Sequence, residues 1–70
     1  MSTTTLHVYP TGRASERYDY SSEPYDAIHK LIADRFPEGT YWLPTGSGTW
    51  GYLLGADGRP VADVDVEVIS

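Results

Sequence analysis

The stretch VADVDVEVI, residues 61–69, has the clearest pattern in this 70-residue chain. Its apolar and acidic residues alternate one by one, which is the period of a β-strand, where successive side chains point to opposite faces. A helix would scatter both kinds of residue around its circumference. The stretch therefore predicts a strand with valines on one face and the carboxylates of Asp63, Asp65 and Glu67 on the other.

The rest of the chain predicts four further strands. Residues 3–9, 16–20, 40–43 and 49–54 are rich in β-branched and aromatic residues, and turn residues such as Pro and Gly separate them. The last two precede residues 61–69 in a three-stranded meander. The first two are expected to form a hairpin that buries Leu6, Val8, Tyr18 and Tyr20.

A helix is expected over residues 24–36. Ser21 and Ser22 offer hydroxyls that can cap its start, and Pro24 fits the first turn, where no N–H is needed. Apolar residues then recur at three- and four-residue steps and form one stripe that can cover a sheet, namely Tyr25, Ile28, Leu31, Ile32 and Phe36. The sequence therefore predicts a single α+β domain, with one helix packed on one face of a mostly antiparallel sheet of four to five strands, in the chain order β-β-α-β-β-β.

Two turns set the predicted registers of the last three strands. An odd loop with Gly58 left-handed places Trp50 opposite Val64, whereas an even loop would set the ring of Trp50 among the acids. An even loop over residues 45–48 then places Leu43 opposite Trp50. The same registers pair Tyr52 with Ala62 and Tyr41 with Tyr52. The predicted core face of these strands is Tyr41, Leu43, Trp50, Tyr52, Leu54, Ala62, Val64, Val66 and Val68.

The opposite face of the sheet, called the outer face, is the candidate binding surface. The predicted registers place Trp42 over Gly51 with Asp63 beyond, so Trp42 is expected to be the exposed aromatic residue of the fold. An aromatic ring beside charged residues is a recurring composition of protein interfaces. The residues predicted to bind a partner are Trp42, Leu53, Val61, Asp63, Asp65 and Glu67.

Charge and composition argue against several classes of function. Ten acidic residues against five basic ones give a net charge of -5, and the cations do not form the cluster that phosphate contacts need, so direct nucleic-acid binding is disfavoured. A basic protein partner is favoured instead, although mild acidity also serves simply to keep a small domain soluble. The first residues lack the features of a signal peptide, and no apolar run approaches the length of a membrane span, so a cytoplasmic protein without membrane association is expected.

The sequence contains no motif for catalysis or for a cofactor. Ser47 could be grouped with His7 or His29 and an aspartate, but it lacks the G-x-S-x-G context of a nucleophile. The glycine-rich turns lack the lysine of a phosphate loop. There is no cysteine, and carboxylates two residues apart on a strand are about 6.8 Å apart, which is too far to share one small ion. The sequence therefore predicts neither an enzyme nor a metal or cofactor site.

The first functional hypothesis is a small acidic non-enzymatic interaction module that docks a basic protein surface through the outer face. Four arginines to one lysine, with no Asn or Gln, are typical of a GC-rich genome, and by analogy they favour an inhibitor or accessory protein of a phage or bacterium. One alternative is a small ligand-binding module, in which Trp42 and tyrosine rings stack on a sugar or a Pro-rich peptide. Another is a subunit of a larger enzyme. In the plainest interpretation the acidic face is only a solvated surface, and a homodimer also stays open.

Overall fold

The computed structural model describes residues 3–45 and 49–69, which form one α-helix and a five-stranded antiparallel sheet. Along the sheet the strands lie in the order β2-β1-β5-β4-β3. The predicted α+β architecture and its element order are confirmed. The elements are β1 (Thr3–Pro10), β2 (Glu16–Tyr20), α1 (Pro24–Arg35), β3 (Tyr41–Pro44), β4 (Trp50–Leu54) and β5 (Pro60–Ile69).

Strand β5 lies at the centre of the sheet, between β1 and β4. Its alternating sequence gives it two different faces, as predicted, because Ala62 and Val64 are buried while the acidic residues between and after them are exposed. The valine row is shorter than expected, since Val66 is half-buried and Val68 is 53% exposed. The reason is that β4 pairs with β5 only as far as Asp65, so Val68 lies beyond the fully paired part of the sheet.

Helix α1 covers the face of the sheet that carries the valines, called the helix face. Ala27, Ile28 and Leu31 are buried there, and Ile32 and Phe36 pack partly against them. The predicted first member of the stripe was wrong, because Tyr25 is 66% exposed.

The start of α1 also differs from the prediction of a serine cap. Glu23 occupies the N-cap position without a side-chain hydrogen bond, and Pro24 begins the helix. The neighbouring Ser22 instead accepts a hydrogen bond at its carbonyl oxygen from Thr4 Oγ1, at 2.7 Å. This hydrogen bond links the residues just before α1 to strand β1.

The remaining core comes from β1 and β2. Leu6 and Val8 are buried, and Tyr18 and Tyr20 pack partly against the same cluster. The cross-strand pair Leu6 and Tyr18 shows that the predicted β1–β2 hairpin is correct.

The turn between β4 and β5 has the predicted three-residue loop. Gly55 N–H donates to the Arg59 carbonyl at 2.8 Å, and Gly58 N–H donates to the Gly55 carbonyl at 2.9 Å. Gly58 has φ of 83°, in the left-handed region that favours glycine. Leu54 then pairs with Pro60, as this loop requires.

A β-bulge directly after this turn overturns the predicted register. The next pair is Leu53 with Ala62, so Val61 is an extra residue on β5. Pro60 has no N–H for the ladder, and proline within a sheet is confined to edge strands, strand starts and bulges. Every later pair is shifted by one residue, so Trp50 lies opposite Asp65 instead of Val64, and Tyr52 lies opposite Asp63 instead of Ala62.

The β3–β4 register also differs, but by two residues. Leu43 pairs with Tyr52, and Pro44 pairs with Gly51, rather than Leu43 with Trp50 and Tyr41 with Tyr52. Residues 46–48, which belong to the predicted turn over residues 45–48, lie outside the described residues. A shift of two preserves which side chains share a face, so the predicted grouping of Leu43, Trp50 and Tyr52 survives. The bulge moves this group onto the outer face.

The opposite side of the β3–β4 hairpin therefore enters the core. Leu53 is fully buried at 0% exposure, and Trp42 is half-buried against the core cluster. Trp42 does cover Gly51, as predicted, but on the helix face. The predicted outer positions of Trp42 and Leu53 were wrong, and Val61 is half-buried at the bulge against the core. Leu54, predicted in the core, is also half-buried.

Candidate functional site

The outer face carries two rows of side chains that run across the strands. The first row is Tyr9 on β1, Asp63 on β5, Tyr52 on β4 and Leu43 on β3. The second row is Arg17 on β2, His7 on β1, Asp65 on β5 and Trp50 on β4. Neighbouring strands are about 4.8 Å apart, and the two rows are separated by about 6.8 Å along the strands. The two aspartates therefore lie in the middle of a patch bordered by rings.

We call this surface the aromatic-acidic patch and define it by Tyr9, Leu43, Trp50, Tyr52, Asp63 and Asp65. Tyr9 is 50% exposed, Leu43 46% and Trp50 38%, which are high values for large apolar side chains. The rings of Trp50 and Tyr52 meet edge to face, with centroids 5.2 Å apart. This contact orients the indole of Trp50 at the surface.

A groove of about 260 Å³ runs through the patch. Tyr9 and Trp50 line it, together with Asp63, Val64 and Asp65. Because Tyr9 is opposite Asp63 and Trp50 is opposite Asp65, the two rings stand on either side of β5, diagonally across the carboxylates. The groove therefore combines aromatic walls with negative charge.

The carboxylates on β5 are not neutralised from within the described part of the chain. The salt bridges among residues 3–45 and 49–69 join Arg17 to Asp19 and Arg59 to Asp57, and neither involves β5. The outer face presents the carboxylates of Asp19, Asp63, Asp65 and Glu67 against the guanidinium of Arg17. Three of these four carboxylates are therefore available to a cation from outside.

Asp19, at the β2 side of the outer face, is the exception. It accepts a hydrogen bond from Thr5 Oγ1 at 2.6 Å and lies 3.4 Å from Arg17 Nε. The hydrogen bond from Thr5, and then the positive charge of Arg17, lower the pKa of Asp19 below its ordinary value. Asp19 is therefore held in place by its neighbours, unlike the aspartates on β5.

Replacing Thr5 by Val is expected to raise the pKa of Asp19 towards its ordinary value. In the wild type the pKa of Asp19 is lower in the folded state than in the unfolded state. The hydrogen bond from Thr5 therefore stabilises the fold above about pH 3.9, the ordinary pKa of an aspartate. This stabilisation is lost as the pH falls through the pKa of Asp19 in the folded state. The stability difference between wild type and Thr5→Val should therefore shrink in acid. Carboxyl NMR titrations and denaturation at several pH values would measure both effects.

Thr5→Ser is the matched control for this substitution, because it keeps the hydroxyl donor. An Asp19 pKa that is the same in the Val and Ser variants would contradict the role assigned to the hydrogen bond.

Two tyrosines on the helix side have raised pKa values. Tyr18 donates a hydrogen bond to Glu16 Oε2, which is the main cause of its raised pKa. Burial, and then the charge of Asp34, raise the pKa of Tyr20. Both phenols therefore stay protonated at neutral pH, and neither supplies a phenolate for chemistry.

The histidine and serine side chains that were candidates for catalysis do not lie together within the described residues. His7 is on the outer face, whereas His29 is on α1 with its ring 4.4 Å from that of Tyr25. Ser47 lies outside the described residues. No group of three or more His, Asp or Glu side chains within residues 3–45 and 49–69 is arranged to hold a metal ion.

A second groove, of about 250 Å³, lies on the other side of the sheet, between α1 and the edge strand β3. It is lined by Tyr25, His29, Ile32, Thr40, Tyr41 and Trp42. Trp42 and Trp50 therefore belong to different grooves on opposite faces and cannot form one stacking platform.

Of the residues that define the aromatic-acidic patch, the sequence thus located only the two aspartates, Asp63 and Asp65. Asp63, Asp65 and Glu67 are exposed on the outer face as predicted, but Trp42 and Leu53 belong to the helix face. The aromatic residues that accompany the acids, missed from the sequence, are Tyr9, Trp50 and Tyr52. Pro60, directly after a turn and inside a strand pattern, was the signal for the bulge that brings two of them there.

No helix in the described part of the chain is long and apolar enough to cross a membrane. No family model matches the sequence, and no curated protein or solved structure is significantly similar to it.

Proposed function

We propose that this protein is a non-enzymatic interaction module that docks a basic protein surface through the aromatic-acidic patch. The observation that carries the proposal is that carboxylates with no salt bridge among the described residues lie beside exposed rings, on a sheet face that no described element covers. Exposed apolar side chains grouped in one patch are typical of interaction sites. A sheet face of this kind offers a broad surface rather than a catalytic cleft.

The two kinds of side chain have different roles in this proposal. Asp63, Asp65 and Glu67, helped by the net charge of -5, attract a basic surface from a distance and favour the correct approach. Trp50 and Tyr9 then bury ring area at the contact and slow dissociation. By covering a basic surface the module would act as an inhibitor or accessory protein, and the cytoplasm of a bacterium, including one infected by a phage, is the setting we propose.

A pull-down from a bacterial lysate at low and high salt tests this proposal by identifying the partner, and binding kinetics with the captured partner then compare variants of the outer face. Changing Asp63, Asp65 and Glu67 together to Ser is expected to leave the fold intact, slow association and weaken its salt dependence, because these charges steer the encounter. Trp50→Ala is expected to raise the dissociation rate and cost about 2 kcal/mol of binding free energy, as a ring lost from the centre of a contact does.

The matched control changes Asp26, Asp34 and Glu38 to Ser, which removes the same charge away from the outer face. It should bind like the wild type. Recovery of no basic partner at either salt would contradict the proposal, as would normal binding by both patch variants while they remain folded.

A small ligand-binding module is the second candidate, and the groove between α1 and β3 is the observation that favours it. The rings of Tyr25, His29 and Trp42 stand close enough together to line one groove. Aromatic-lined grooves of this kind bind sugars or PPII segments of Pro-rich peptides. Titrating a Trp50→Phe variant with such ligands would report on Trp42 alone, and an unchanged fluorescence would eliminate this candidate.

A further inference from the structure

We propose that the groove in the aromatic-acidic patch binds an arginine side chain of the partner, between the rings of Tyr9 and Trp50. This inference rests on the proposed function and names the chemical group that the patch recognises. The groove of about 260 Å³ is smaller than the roughly 300–1,000 Å³ of sites for drug-sized molecules, so it suits a single side chain.

The chemistry of the groove favours a guanidinium over other groups. Its planar face stacks on aromatic rings, which attract cations through their negative faces. Its N–H donors lie on more than one edge, so it can reach carboxylates that stand about 6.8 Å apart along a strand, as Asp63 and Asp65 do. A lysine ammonium is a compact, strongly hydrated charge and matches this arrangement less well.

A second copy of the chain is a poor occupant of the same surface. A two-fold dimer through this face would bring Asp63 and Asp65 of each copy against those of the other, and like charges facing each other destabilise a contact. The net charge of -5 on each copy adds to the repulsion. A cationic side chain from a different protein meets the patch with complementary charge.

The two tryptophans allow a direct test by NMR of the intact chain. N-acetyl-arginine amide would be titrated to about 50 mM, because one side chain is expected to bind no tighter than about 1 mM. The indole N–H resonance of Trp50 should shift in a saturable way, whereas that of Trp42, on the opposite face, should not move. Trp50→Phe assigns the two resonances.

Matched ligands and variants separate charge from shape. N-acetyl-citrulline amide has nearly the same shape without the charge, and it should shift Trp50 at least about five-fold less, as expected for loss of a cation–π contact. Asp63→Asn together with Asp65→Asn should weaken the arginine response, whereas Asp26→Asn with Glu38→Gln should not. Amide spectra of each variant would confirm that it is folded.

Three results would overturn the inference. These are equal shifts of Trp50 with arginine and citrulline, equal shifts of Trp42 and Trp50, and a wild-type response in the double Asn variant. A lysine derivative that shifts Trp50 as strongly as arginine would overturn the choice of guanidinium.

The outcome is separable from that of the proposed function. If a basic partner is captured through Asp63 and Asp65 but arginine leaves Trp50 unchanged, the arginine site is wrong and the docking function stands. If arginine shifts Trp50 but no basic partner is captured, the docking function is wrong and the arginine site stands.

Discussion

Leu53→Ala is expected to lower the free energy of unfolding by about 2–5 kcal/mol, whereas Leu43→Ala should lower it by less than about 1 kcal/mol. Leu53 is at 0% exposure among the core residues, so its truncation removes buried methyl groups and leaves a cavity. Leu43 is 46% exposed on the outer face, where the lost contacts are replaced by water. A chain of this size has only a small free energy of unfolding, so Leu53→Ala should remove a large part of it.

Chemical denaturation of the two variants side by side would measure this difference. Leu53→Met, which nearly conserves volume, is the control and should cost less than about 1.5 kcal/mol. The register without a bulge places Leu43 in the core and Leu53 outside, so a larger loss from Leu43→Ala would show that the bulge at Val61 is absent.

Gly51→Val is the second substitution with a large expected effect, at about 3 kcal/mol or more. A Cβ atom at this position would lie 2.5 Å from the Leu43 carbonyl oxygen and 2.6 Å from the ring of Trp42. Neither neighbour can move cheaply, because one is backbone of the adjacent strand and the other is packed against the core. The added side chain therefore has to displace the ring of Trp42.

A thermal melt would detect this loss, since 1 kcal/mol corresponds to about 4–8 °C in Tm for a domain of this size. Gly58→Ala is an informative comparison. A Cβ there meets nothing within 4 Å, and only its φ of 83° is unfavourable, so the cost should be about 1 kcal/mol. Equal tolerance of both substitutions would show that Trp42 does not rest on Gly51.

Most of the architecture was predictable because local patterns and turn chemistry act over short distances. The alternating sequence of β5 identified the two faces of that strand, and Gly58 identified the three-residue loop that precedes β5. The face of the β3–β4 hairpin could not be settled in this way. Leu43 and Trp50 suggest one side for the core, and Trp42 and Leu53 suggest the other. Choosing the register that keeps Trp50 with the valines and away from the acids therefore selected the wrong side.

The error in the candidate site has the same physical origin. The carboxylates of Asp63 and Asp65 belong to one strand, so their face followed from the sequence of that strand alone. Their aromatic neighbours come from β4, and one extra residue in the pairing exchanges Trp42 for Trp50 as the exposed ring. The predicted burial of Tyr25 was wrong for a different reason. The helical period identifies an apolar stripe but does not show which edge of the stripe stays in solvent.

A hairpin that is apolar on both sides also shapes the folding landscape. Without the bulge, the three-residue turn would align the hairpin with β5 one residue differently. That alignment would bury Trp50 instead of Trp42. The two alignments differ by one residue in the β4–β5 pairing, so the bulge has to form for the native face of the hairpin to be buried. Val61 therefore determines which face of two of the five strands, β3 and β4, lies in the core, and deleting it is expected to exchange these two faces.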